Sequence, residues 1–94
     1  MKVYHGRRTE YGCTVDVEED DECYGLHPRH DLRSHSPDGF EWGYSGSGPA
    51  QLALALAADV LGDDVKAQNI YQRLKFLCRV LHKDFYAHLR VMRM

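Results

Sequence analysis

Ninety-four residues, 44% hydrophobic and 28% charged, suit one compact domain near the smallest size that a hydrophobic core supports unaided. No apolar run approaches the roughly 20 residues of a membrane span, and residues 1–12 lack the apolar core of a signal peptide, so no membrane partner and a cytoplasmic location are expected. The net charge of −2 hides a division, −8 over residues 1–65 and +6 over residues 66–94, which argues against a nucleic-acid partner and for attraction within one fold or between subunits.

In chain order, KVYH (2–5) and CTVDV (13–17) have β-favouring content, and Val15 and Val17 alternate with Thr14 and Asp16 as in a half-buried strand. A β-hairpin over residues 1–17 is predicted. Residues 18–38 are polar and contain Gly25, Pro28 and Pro37, so they read as an irregular excursion that is functional, partly structured or disordered. DVEEDDE (16–22) places six carboxylates in seven positions. The simplest reading is a solvated run in a mobile loop. The sharper one is a phosphate-mimicking surface that blocks a nucleic-acid-binding protein, or a dock for another subunit's basic helix.

Cys13, Cys23, His27, His30 and His35 are residue types that suit zinc, but they lack close two-plus-two spacing, so no metal and no cofactor are assigned. The three cysteines cannot all pair within one chain and are expected to be reduced thiols. No set of nucleophile, base and oxyanion stabiliser stands out, so the expectation is a protein that is not an enzyme.

The densest local pattern is GFEWGYSGSGPAQLALALAADVLG (39–62). Gly43, Gly46 and Gly48 free the backbone for a tight turn, and Pro49 suits the first position of a helix over 49–61, capped by Ser47 or Gly48. Free amides at such a start carry the helix's partial positive charge and can receive an anion. Ser45 and Ser47 add hydroxyls, and Trp42 and Tyr44 offer faces for a base. Arg7 or Arg8 on the hairpin could complete a phosphate site by bidentate contact. Gln51, the polar residue one turn into this helix, either ties the preceding loop or reads a ligand's polar edge. The helix is apolar on all sides, which places it at the centre of a domain or oligomer, and a homo-oligomer, a dimer, is expected.

Gly62 stops that helix, and Asp63 or Asp64 caps a second one over 63–82. Ala67, Ile70, Tyr71, Leu74, Leu77, Cys78 and Leu81 recur at helical spacing, with Lys66, Arg73, Lys75, Arg79 and Lys83 on a basic face. The tail 83–94 fits a strand, a short helix or an exposed arm.

The early Y-x-G (Tyr4, His5, Gly6), the block FEWGYSGSGPAQLALA and the later helix with Tyr71 and Lys75 together resemble an uncharacterised family of small prokaryotic and phage proteins, over residues 3 to about 81. The tail departs from the tryptophan-bearing end usual there. The resemblance implies a small α+β domain, often phage-associated, and supplies no activity. The fold expected is therefore α+β: an N-terminal β-hairpin or small antiparallel sheet packed on two antiparallel helices. The function expected is non-catalytic binding of a phosphorylated or nucleotide ligand by Arg7, Arg8, Trp42, Gly43, Tyr44, Ser45, Gly46, Ser47, Gly48 and Gln51. In a phage setting this would sequester a host nucleotide immune signal. The alternative is a protein-interaction module or an inhibitor of a host nucleic-acid enzyme, with a host protein as partner of the acidic segment 16–22.

Overall fold

A computed structural model describes residues 1–90. The chain begins with three strands, β1 (Lys2–Thr9), β2 (Gly12–Glu19) and β3 (Glu22–Gly25). Two helices follow, α1 (Ser47–Leu61) and α2 (Asp64–Val80), and then β4 (Phe85–Leu89). The strands form one antiparallel sheet in the order β3-β2-β1-β4, so the fold is α+β. Among the described residues, no helix is long and apolar enough to cross a membrane.

The expected hairpin is β1 and β2, with Thr9 paired to Gly12. A second hairpin lies where an irregular loop was expected: Glu19 pairs with Glu22 across Asp20 and Asp21. Asp20 adopts φ 56, a left-handed conformation that aspartate tolerates better than most residues and that two-residue hairpin turns require. All four β3 residues are exposed, so the strand has no apolar alternation to reveal it. The tail supplies the fourth strand. Phe85 and Ala87 are buried while Tyr86 and His88 are exposed, which is the period of two. Of the expected tail, 91–94 lie outside the described residues.

One sheet face, with Tyr4, Val15, Val17, Phe85 and Ala87, joins the buried core; the other, with Arg7, Thr14, Glu18 and Tyr86, meets solvent. α1 is buried from Gly48 to Ala58. The sheet, α2 and the segment before α1 cover it within one chain. Its all-round apolar surface is therefore accounted for without a second subunit, and that argument for a dimer falls away. Gly62 (φ 63) ends α1, and the Asp63 carboxylate accepts from the Lys66 amide at 3.0 Å to start α2.

Two ties fix β1 in the core. The Asp59 carboxylate on α1 accepts from the Tyr4 hydroxyl at 2.5 Å, the Tyr24 hydroxyl at 2.7 Å and Lys2 Nζ at 3.3 Å. Burial and this carboxylate both hold the Tyr4 phenol far above its ordinary pKa, so it stays a donor. Gly6 then leaves room for the Phe85 ring, which meets Trp42 edge-on at 4.9 Å between centroids.

Candidate functional site

The turn before α1 is built around Gly43. Its amide donates to the Cys78 carbonyl at 2.8 Å, which pins the turn to the end of α2, and its φ of +89 favours glycine. Gly46 and Gly48 are glycine for a different reason. Gly46 has φ 164, extended backbone open to any residue, and Gly48 is helical. What excludes a side chain is space: a Cβ on Gly46 would lie 3.0 Å from the Tyr44 ring, and one on Gly48 2.4 Å from Glu41 Cβ and 2.8 Å from the Tyr44 hydroxyl. Tyr44 thus folds back along the helix start while remaining 49% exposed.

The Ala50 amide donates to the Gly46 carbonyl at 3.2 Å, closing the first turn. Among the described residues, the amides of Ser45, Gly46, Ser47 and Gly48 have no acceptor, and no side chain caps the helix. Ser45, Gly46 and Ser47 are exposed; Gly48 is buried beneath Glu41 and Tyr44. Helix α1 starts at Ser47 with Gly46 as its cap, two residues earlier than expected, and its first turn, the positive end of the helix, contains no acidic residue.

Of the two candidate arginines, only Arg8 reaches this turn. Adjacent strand residues face opposite sides of a sheet, and Arg8 lies on the helix side. Its Nη2 would sit 3.7 Å from a Cβ at Gly43. The same nitrogen donates to the Trp42 carbonyl and pairs with Glu41 Oε1 at 3.1 Å, while Nε donates to that carboxylate at 3.2 Å. Arg7 instead lines a cleft of about 270 Å³ on the open sheet face with His5, Asp16, Glu18 and Tyr86. It is removed from the phosphate site by strand alternation alone.

Trp42 and Gln51 are also placed differently from a ligand site. Trp42 is 0% exposed, and its Nε1 donates to the His82 carbonyl at 2.8 Å, so no base can stack on it. Gln51 is 0% exposed and fully used. Its Oε1 accepts from the amides of His35 (2.8 Å) and Ser36 (3.2 Å), and its Nε2 donates to the carbonyls of Pro28 (2.6 Å) and Arg33 (3.0 Å). Of the two roles expected for Gln51, the loop tie is the one its geometry serves.

The cysteines and histidines scatter. His35 Nε2 meets the Tyr71 hydroxyl at 2.8 Å, His30 Nε2 meets the Ser36 carbonyl at 2.8 Å, and Cys23 sits on β3. Among the described residues, no three His, Cys, Asp or Glu side chains gather to hold a metal. Burial raises the Cys13 thiol pKa and pushes Cys78 up to about 12, so neither is poised as a thiolate. Sequence reasoning missed Glu41, which balances Arg8, and the cluster of Lys2, Tyr4 and Tyr24 around Asp59. The available signal for the latter was a lone carboxylate closing an otherwise apolar helix.

The chain belongs to the family of unknown function DUF6166, whose match covers residues 4–84. No curated protein matches the chain. No solved structure matches it either.

Proposed function

We propose that this protein is a non-catalytic binder of a phosphoryl-bearing small molecule, a nucleotide in the fuller form of the reading, held at the turn Gly43–Gly48. One observation carries it: a row of backbone amides without acceptors at the positive end of a buried helix, in a turn whose first residue, Gly43, has the Arg8 guanidinium against it. Phosphate oxygens would accept from the amides of Ser45, Gly46 and Ser47 and from Arg8, which swings partly off Glu41. The outer face of Tyr44 offers the stacking surface that Trp42 does not. In this reading the ligand is held rather than transformed, and its role is sequestration of a nucleotide signal.

The test is a titration of the folded protein with inorganic phosphate, mononucleotides and cyclic nucleotides, followed by amide chemical shifts and by melting temperature. The expected result is a shift confined to residues 43–50 and a rise in melting temperature with at least one nucleotide. Unchanged spectra across the whole panel would refute the proposal.

A further inference from the structure

Helix α2 carries a second surface that the fold does not use. At 100° per residue, Val65, Phe76 and Val80 fall within about 60° of one another on the helix circumference. They are 69%, 73% and 73% exposed. Arg79 flanks this stripe on one side and Lys66 and Arg73 on the other, and the Arg79 guanidinium lies over the Phe76 ring at 5.3 Å. An exposed phenylalanine between two valines, rimmed by cations, has the anatomy of a protein interface: an apolar centre and a charged border.

The charge division of the chain points to what covers it. Among the described residues, the ion pairs are Lys2–Asp59, Arg8–Glu41, Arg29–Asp31 and Arg29–Asp64. None involves a carboxylate of segment 16–22, and none involves Lys66, Arg73, Lys75 or Arg79. The two opposite charge sets, expected to attract, are thus left unneutralised inside one copy. The acidic set is also not a mobile run. The β2–β3 turn holds Glu18, Asp20, Asp21 and Glu22 at the sheet edge, with β3 fully exposed beside them. A short edge strand beside an acidic turn repels its own kind and accepts a basic partner.

We infer that the outer face of α2 docks on the acidic β2–β3 hairpin of a second copy of this chain. Phe76, Val65 and Val80 form the centre of the contact, and Lys66, Arg73 and Arg79 pair with Glu18, Asp20, Asp21 and Glu22. The two surfaces are different, so the contact is heterologous. Copies join head to tail, and the assembly closes into a ring or continues as a chain. This inference is independent of the phosphate reading, since no residue of the glycine turn takes part.

The test measures mass in solution by sedimentation and native mass spectrometry, at low salt and at about 1 M salt, where screening acts over only about 3 Å. Two charge-reversed variants are compared with wild type: Arg73→Glu/Arg79→Glu and Glu18→Lys/Glu22→Lys. Wild type is expected to associate at low salt and to dissociate at high salt. Each variant alone is expected to be monomeric, and their equimolar mixture to associate again, because each reversed surface meets its complement. Phe76→Ser, which leaves every charge in place, is expected to weaken association by about tenfold or more. A monomeric wild type at low salt overturns the inference. So does a mixture that fails to associate, an undiminished Phe76→Ser assembly, or an α2 variant that dissociates while Glu18→Lys/Glu22→Lys still associates. That last pattern would indicate a helix-to-helix dimer.

Discussion

Gly6→Ala is the sharpest probe of how this fold is assembled. Built on the β1 backbone, the new methyl carbon would lie 2.0, 2.4 and 2.6 Å from three ring carbons of Phe85. Carbon atoms rest at about 3.5–4.0 Å, so the ring must retreat by roughly 1.5 Å. It has little room to do so. Phe85 is 5% exposed and abuts Trp42, which is 0% exposed and held by its bond to the His82 carbonyl. Overpacking a core costs about 1–3 kcal/mol, and two successive unyielding rings place this case at about 3 kcal/mol. At about 4–8 °C per kcal/mol for a domain of this size, the melting temperature should fall by about 12–24 °C. Thermal melts by circular dichroism and urea unfolding followed by the fluorescence of the single tryptophan measure both quantities. In a Phe85→Leu background, with the ring gone, the same alanine should cost at least about 1 kcal/mol less, because the two residues share one space. A Gly6→Ala protein within about 0.5 kcal/mol of wild type, or an undiminished cost beside Leu at 85, would refute this account.

Gln51→Leu removes four hydrogen bonds and strands two amides and two carbonyls of the loop 28–36, for an expected loss of about 3 kcal/mol or more and new proteolytic cleavage within that loop. Glu41→Gln relieves Arg8 of its carboxylate, so phosphate affinity measured by titration should rise by about threefold or more; an unchanged affinity would count against the site. At pH 8 a thiol reagent should label exposed Cys23 first, half-buried Cys13 slowly, and Cys78 only after urea unfolding, since burial pushes that thiol up to about 12. Burial, with Lys75 and Arg33 nearby, lowers the His35 pKa below 6.5, so folding favours its neutral form. That stability is present above pH 6.5 and lost as pH falls through the lowered value; the loss, read as the urea midpoint between pH 7 and 5, should shrink in His35→Gln.

Both helices were legible because their signals are local. Gly62 and Asp63 punctuate them, and the apolar spacing of α2 needs no partner to be recognised. The sheet was half legible. Val15 and Val17 announce β2, whereas β3 owes its existence to pairing with β2, and an edge strand written as Glu-Cys-Tyr-Gly carries no pattern of its own. β4 does alternate, but over five residues, and its place beside β1 is a long-range choice made by Phe85 fitting over Gly6. The argument from α1 to a dimer lapsed for the same reason, and it left the oligomeric state untouched. What covers an apolar helix is decided by residues far along the chain, here a loop anchored through one buried amide.

The glycine turn was legible as a tight turn into a helix, but its causes were misjudged. Three glycines before a helix read as backbone freedom, yet only Gly43 has the positive φ that glycine favours. Gly46 and Gly48 are small because Tyr44 and Glu41 lie across them. That covering decides what the turn can bind. It seals the innermost amide at Gly48 and leaves those of Ser45, Gly46 and Ser47 on exposed residues. A ligand bound as proposed would be gripped mainly by hydrogen bonds and the Arg8 charge. Binding should therefore weaken steeply with added salt, and a tight complex needs Tyr44 to stack. Arg8 is aimed at the turn by its bonds to the Trp42 carbonyl and the Glu41 carboxylate, and the Trp42 ring that it lies over at 5.5 Å is itself packed edge-on against the Phe85 ring that Gly6 makes room for.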